Sequence, residues 1–472
     1  MSASGGAPEH FDLVVLGAGP AGQKAAVQGA KAGRRVVVVE RDRVVGGECV
    51  QRGTIPSKTL RESAEAIASL RRRLEGVVPT ELGAQTKLSS LMRNLDRVLE
   101  GHTEYMRCQL ERNGIGLVRG RARLADARTV EVLQLDGSIR RLEGKHIVIA
   151  TGSRPRTPAG IPVDHEHVLD SDSILSMIYL PRSLCVLGGG VIACEFATLF
   201  QALGVQVTII DRAARPLGFL DPELSEKLLQ HFRSAGGVYL PERNIERIEL
   251  RGLEGPRVHL EGGEIVEAGK VLCALGRVAM LDELGVDEVG LERTERGHLR
   301  VDEHQRTNLP HVYAVGDVVG PPALAATAMD QGRRAVRHAL GLPLPRHGDV
   351  LPVGIYAIPE IACVGETEEQ VLARGGEPLV GRASFSELAR GQINGDTEGM
   401  LKLVCDAEGR RLLGAQVVCN QATELVHLAQ LALIGEMEVD VFVDNTFNFP
   451  TMAEAYRVAA LDVVGQRQRR AA

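Results

Sequence analysis

Phe11-Asp12-Leu13-Val14-Val15-Leu16-Gly17-Ala18-Gly19-Pro20-Ala21-Gly22 is the stretch whose reading decides the fold. Phe11 to Leu16 is an apolar run ended by glycine, the pattern of a strand buried on both faces. Gly17 allows a tight turn, Gly19 lets the backbone approach a pyrophosphate, and Gly22 lets the following helix lie close to the sheet. A helical pattern runs to about Ala32. A second buried strand, Arg35 to Val39, then ends in Glu40, about 20 residues on, where a carboxylate can hold ribose hydroxyls. A pyrophosphate at this turn would face the unpaired N–H groups of a helix N-terminus. Strand, glycines, helix, strand and acid in one unit predict a dinucleotide-binding fold.

The same grammar returns later. Ser183 to Leu187 is a short apolar strand, and Gly188-Gly189-Gly190-Val191-Ile192-Ala193-Cys194-Glu195 follows and opens a helix. Val205 to Ile210 is the next strand and ends in Asp211-Arg212. Two dinucleotides are therefore expected. Asp211 suits the 2′-hydroxyl of NAD and repels the 2′-phosphate of NADP. Arg212 and Arg215 suit that phosphate instead, and Ala193 in place of the third glycine leans the same way. Two readings stay open: a site that accepts both cofactors, and a plain NAD site with two solvated arginines.

A chain of 472 residues is too long for one core and predicts two to four domains. A net charge of −6 argues against nucleic-acid or membrane-surface roles, and the absence of tryptophan argues against base-stacking platforms. Eight cysteines lack metal-ligand spacing and disulfide framing, so no metal is expected. They read as buried small residues in a reducing compartment. No apolar run nears the ~20 residues that span a bilayer. Met1 to His10 reads as a disordered lead-in to a cytoplasmic protein.

Helical spacing runs from Ser57 to about Glu75 and from Leu88 to Asn113, with Arg71, Arg72 and Arg73 read as a solvated face. Leu117 to Ile149 alternates and turns at Asp136-Gly137. Strands are expected within Tyr239 to Leu260, with a turn at Gly262-Gly263. His311 to Val315 reads as a strand ending in Gly316-Asp317. Ala323 to Ala339 reads as a helix behind Pro321-Pro322. Beyond Pro345, Val353 to Val364 and Met400 to Val418 read as strands and Ala422 to Leu433 as one of two helices.

Between the two nucleotide units lies Gly46-Gly47-Glu48-Cys49-Val50-Gln51-Arg52-Gly53-Thr54-Ile55-Pro56-Ser57-Lys58. It resembles the redox-active segment of the flavoprotein disulfide reductases, in which two cysteines stand with four residues between them at the start of a helix. Cys49 matches the first cysteine; Thr54 stands in place of the second and cannot form a disulfide. Cys49 keeps two readings: a thiol activated at a helix N-terminus, or a relic packed as a small hydrophobe; the second is preferred. The family carries a histidine before a Pro-Thr near the C-terminus, followed by a glutamate. Here Phe449 replaces the histidine, which cannot transfer a proton, while Glu454 remains. Both departures resemble the soluble pyridine nucleotide transhydrogenase branch, and the resemblance covers about Phe11 to Leu461.

The resemblance implies a glutathione reductase-like α/β fold. Two Rossmann-like FAD- and NAD(P)-binding domains would precede an α+β dimerisation domain. Its boundaries would be 1–153 (FAD, first part), 154–278 (NAD(P)), 279–345 (FAD, return) and 346–472 (interface). The first unit would take FAD through Gly17, Gly19, Pro20, Ala21, Gly22, Glu40, Arg41, Gly47, Thr54 and Lys58. Ala150-Thr151-Gly152 would form the exit from that domain and Gly276 the return. Gly316, Asp317 (on the ribityl chain) and Ala325 would complete the site. The second unit would take the nicotinamide cofactor through Gly188, Gly190, Val191, Ile192, Glu195, Asp211 and Arg212. Lys58 and Glu195 would pair beside the flavin N5. With Cys49, Thr54 and Glu454 they make up the expected catalytic set.

The implied activity is FAD-dependent hydride transfer between NADPH and NAD, with NAD(H) and NADP(H) as substrates. The implied assembly is a homodimer, or a higher oligomer built from it, without nucleic acid or membrane. Rival readings are an NAD(P)H:quinone or dye oxidoreductase, a lipoamide dehydrogenase-like enzyme, and a redox-sensing or scaffold flavoprotein.

Overall fold

The computed structural model describes residues 7–74, 88–344 and 350–471, with side chains omitted at 72–74, 253 and 471. The expected helix end at Glu75, the side chains of Arg72 and Arg73, and the domain edge at Pro345 lie outside what is described. The described chain is mixed α/β and falls into two compact units. One gathers the described parts of Met1–Thr59, Ser89–Arg156 and Gly276–Arg346; the other gathers those of Leu60–Leu88, Thr157–Leu275 and His347–Ala472.

The first unit is built on a parallel sheet. Strand Glu9–Leu16 lies between Val36–Glu40 and Ile139–Ile149, and Gly116–Arg119 pairs with the outer side of Val36–Glu40. Glu9 and His10 thus belong to a strand rather than to a lead-in, because they pair with Leu142 and Glu143. The long Ile139–Ile149 strand uses its other edge twice. Its start pairs antiparallel with Thr129–Leu133 across the Asp136-Gly137 turn, where Gly137 has φ +82°. Its end pairs in parallel with Val312–Ala314. Val14, Val15, Val36 to Val39 and Ile147 to Ile149 are β-branched and buried, as a covered parallel sheet requires.

Helix Pro20–Lys31 starts at the glycine turn and packs on helix Ala325–Ala339. The glycines decide this packing: a Cβ on Gly22 would lie 2.0 Å from the Gly17 carbonyl oxygen, and one on Gly332 2.3 Å from that of Ala21. The second helix begins two residues later than expected, after Leu324. The strand expected over His311 to Val315 shortens to Val312–Ala314, and a 3-10 turn takes up Gly316–Val319. Ser153–Pro155 and Arg277–Ala279 pair antiparallel where the chain leaves and re-enters this unit.

The second unit holds another parallel sheet, in the order Val238–Leu240, Gln206–Ile210, Ser183–Leu187, Lys270–Cys273, Val168–Leu169. A three-stranded antiparallel piece, Ile245–Glu249, Arg257–Leu260 and Ile265–Glu267, follows the nucleotide unit. The C-terminal part is a five-stranded antiparallel sheet. It carries more than the two expected helices: Glu368–Ala373, Ala389–Asn394, Ala422–Ile434, Val441–Asp444 and Glu454–Ala471. Strand Leu379–Ser384 was also not anticipated. Arg71 is not simply solvated, since its guanidinium donates to the Ala202 carbonyl at 3.4 Å.

Candidate active site

The first turn is arranged around its glycines. Gly17 has φ +106°, and a Cβ there would lie 2.4 Å from the Ala150 carbonyl oxygen. Helix Pro20–Lys31 has Gly19 as its N-cap and no side-chain cap, so its first N–H groups point out of the turn unclaimed by a side chain. Glu40 is buried at the end of its strand. Its Oε2 accepts from Ala18 N at 2.8 Å and its Oε1 from Asp42 N at 2.9 Å. Burial pushes its carboxyl above the usual range against those two bonds. Arg41 is exposed, 3.9 Å from Asp42.

The Cys49 segment is tied to this turn. Gly46 N donates to Ala18 O at 3.0 Å, and a Cβ on Gly47 would fall 2.9 Å from the Gly19 Cα. Helix Gly47–Gln51 precedes helix Thr54–Leu74, which starts three residues before the expected Ser57. Cys49 is not an activated thiol. Burial raises its pKa, and the Thr54 hydroxyl bond and the Lys58 ammonium oppose this only in part. Thr54, which stands where the family would carry its second cysteine, opens the following helix. Of the seven other cysteines five are buried, Cys363 is half-buried and Cys108 is exposed, which corrects the expectation that all are buried.

A network absent from the sequence reading links four remote segments. Ser153 Oγ donates to Asp317 Oδ2 at 2.5 Å, and Arg277 donates to Ser153 Oγ and to Ser153 O, each at 2.8 Å. Arg277 also faces Glu48 at 3.7 Å, and Arg52 donates to Glu48 at 3.0 Å. Gly316 N donates to Gln331 at 2.8 Å, and Thr151 Oγ1 to Met280 O at 2.7 Å, which fix the neighbours of Asp317 and Gly152. Ala325 is the first residue of its helix, and Gly276 has φ +105°. Nothing in the sequence marks Ser153 and Arg277 as site residues, because a hydroxyl–guanidinium–carboxylate chain over such separations has no local pattern.

In the second unit Gly188 has φ +100°, and helix Val191–Ala202 starts at Gly190 without a side-chain cap. A Cβ on Gly189 would lie 2.1 Å from Asp211 Oδ2, so the carboxylate occupies the space above the glycine turn. Glu195 is buried in that helix and its Oε1 accepts from Tyr356 N at 2.9 Å. Arg215 is engaged, donating to Gly218 O at 3.3 Å and facing Glu369 at 3.6 Å, whereas Arg212 is exposed. Lys58 and Glu195 belong to different units, and their pairing is taken up below as a proposal. Phe449 is 69% exposed, and Glu454 Oε2, at the start of the last helix, is buried with no hydrogen-bond partner among the described residues.

Two mononucleotide-type turns, a lone cysteine before a Pro-Ser-Lys helix start, and a C-terminal antiparallel sheet define a two-dinucleotide oxidoreductase. The chain belongs to the pyridine nucleotide-disulphide oxidoreductase family, whose model matches residues 11–332; the family's dimerisation domain matches residues 351–460. Proteins named soluble pyridine nucleotide transhydrogenase are 41% identical to it. The one from Mycobacterium bovis (strain BCG / Pasteur 1173P2) covers 97% of this chain and 98% of its own length. The one from Pseudomonas putida (strain W619) covers 96% and 98%. Among solved structures, LpdA from Mycobacterium tuberculosis has a TM-score of 0.88 at 26% identity. The HOCl-induced flavoprotein disulfide reductase RclA from Escherichia coli has a TM-score of 0.86 at 26% identity. Each covers 96% of this chain and 99% of its own.

The fold is therefore that of the glutathione reductase-like flavoenzymes, and the cofactors are FAD and NAD(P)(H). The residues fit them. Uncapped helix starts stand behind both glycine turns, and Gly47 lies against the Gly19 backbone where a Cβ would stand 2.9 Å from the Gly19 Cα, so no side chain intrudes there. The dimerisation domain supports a homodimer. No described helix is long and apolar enough to cross a membrane.

Proposed function

We infer that the chain is an FAD-dependent pyridine nucleotide transhydrogenase that moves hydride between NADPH and NAD. The observation that carries this reading is Thr54, a hydroxyl residue where a disulfide enzyme of this family has its second sulfur. Its family and its transhydrogenase-named relatives support it. Bound FAD supplies a ring that accepts a hydride from one nicotinamide and yields it to another.

The protein's share is positioning and charge. Gly17, Gly19, Pro20, Ala21 and Gly22 bind a pyrophosphate at the first helix start, Glu40 holds a ribose, and Asp317 a ribityl hydroxyl. Gly188, Gly190, Val191 and Ile192 do the same for the nicotinamide cofactor, with Asp211 and Arg212 at its adenosine ribose. Lys58 contributes a positive charge and Glu195 a carboxylate. Phe449 offers no proton for a thiol substrate. The four-part division at 153, 278 and 345, a cytoplasmic location and a homodimeric assembly without nucleic acid complete the proposal.

Anaerobic mixing of the holoenzyme with NADPH and the thionicotinamide analogue of NAD tests the reading. Exchange that follows flavin content is expected. No exchange, or faster turnover with dihydrolipoamide or glutathione disulfide, overturns it.

A further inference from the structure

A transhydrogenase must admit NAD and NADP to one pocket, although the two make opposite demands at the adenosine ribose. NAD offers a 2′-hydroxyl that a carboxylate can accept; NADP brings a dianionic phosphate that the same carboxylate repels. Asp211 sits where this conflict falls. Its backbone is fixed: Asp211 N donates to Leu240 O at 3.0 Å, and Arg243 N donates to Asp211 O at 2.9 Å. Only the side chain is left to respond.

Behind it stands Tyr239, 5% exposed, on the neighbouring parallel strand. Its hydroxyl lies 3.1 Å from Asp211 Oδ2 and 3.2 Å from the Ala213 carbonyl oxygen. A phenol has one proton to donate, so the two acceptors compete for it. With the proton on Asp211, the carboxylate is held over Gly189, ready for a 2′-hydroxyl. With the proton on Ala213 O, the carboxylate is released and the buried hydroxyl still has a partner. The cost of an orphaned buried donor is therefore avoided in both states.

The arginines complete the picture. Arg215 is retained by Gly218 O and Glu369, while Arg212, the exposed neighbour of Asp211, has no ion-pair partner among the described residues and can meet a phosphate.

We propose that Tyr239 is a specificity-positioning residue, a two-state latch on Asp211 that lets one pocket accept both NAD and NADP, with Arg212 as the phosphate-side partner. The proposal rests on the transhydrogenase reading for its purpose, but it is tested by binding alone.

Dissociation constants of NAD+ and NADP+ for the holoenzyme would be measured by titration calorimetry, with FAD content and melting temperature recorded for each variant. Tyr239→Phe is expected to raise the ratio of NADP+ to NAD+ affinity roughly three- to tenfold, the span of the net contribution of one ordinary hydrogen bond. In an Asp211→Asn background Tyr239→Phe should leave the ratio unchanged, since the charge being latched is gone. Arg212→Gln should weaken NADP+ at least fivefold, and Arg215→Gln should not; this pair stands even if a Tyr239 variant fails to fold. An unchanged ratio in Tyr239→Phe, an equal shift in both Asp211 backgrounds, or equal losses from the two arginine variants would overturn the latch. Wild-type enzyme that binds both nucleotides yet exchanges no hydride would sink the transhydrogenase reading and leave the latch to these affinities.

Discussion

Cys49 carries the mark of a disulfide enzyme without its chemistry. Burial raises the pKa of its thiol, against the opposing influence of the Thr54 hydroxyl and the Lys58 ammonium. Nucleophilic attack needs the thiolate, so the residue is expected to be chemically quiet. Cys49→Ser should alter hydride exchange by less than about threefold, or ~0.7 kcal/mol on the barrier. Peptide mapping after brief alkylation of the native enzyme should find label on exposed Cys108 before Cys49. A large loss of exchange in Cys49→Ser would instead give the sulfur a working role.

Elements meet at two points where a single change has a stated cost. Gly332 lets helices Pro20–Lys31 and Ala325–Ala339 touch backbone to backbone. Gly332→Ala gains helix propensity of about 1 kcal/mol, but its Cβ would stand 2.3 Å from the Ala21 carbonyl oxygen. The helices must part, at about 1–3 kcal/mol, so a lower denaturation midpoint and faster FAD loss are expected. In the other unit, Lys402 is 2% exposed in an interior strand and meets Asp221 at 2.9 Å, Glu223 at 2.5 Å and Glu368 at 2.7 Å. Lys402→Met would strand buried Asp221 and should cost about 3–5 kcal/mol by chemical denaturation.

The same cluster makes a pH signature. The Arg382 bond holds the Glu223 carboxyl down to about 2, against burial and helped by Lys402. A carboxyl depressed on folding contributes stability above its unfolded value of 4.5, and loses it as pH falls toward about 2. Glu223 is 36% exposed, so solvent screens part of this. A melting temperature that declines across that window in the wild type, and less steeply in Lys402→Met, is expected.

At the scale of the molecule, apolar side chains remain open on the segment matched to the dimerisation domain: Leu431, Ile434, Met437 and Phe449 are all exposed in the single chain. Leu431 and Ile434 share one face of helix Ala422–Ile434 at a spacing of three. Such a patch is the usual core of a subunit interface. Replacing both with aspartate should shift sedimentation from dimer to monomer. A dimer that survives the double change would place the interface elsewhere.

What the sequence determined by itself was everything carried by short-range pattern. Both glycine turns, their flanking strands and helices, the hairpin at Asp136-Gly137 and the Cys49-to-Lys58 segment rest on steric and periodic rules that act within a few residues. Edges slipped where pairing partners decide them: Glu9 and His10 joined a strand because Leu142 and Glu143 lie beside them, and Gly316 turned into a 3-10 segment after three paired residues. Only the tertiary structure could decide whether Cys49 is activated, because desolvation depends on what surrounds it. The same holds for Ser153 and Arg277 beside Asp317, and for the phenol of Tyr239 behind Asp211. Those contacts join residues far apart in the chain, and their hydrogen bonds exist only once the sheets have brought them within reach.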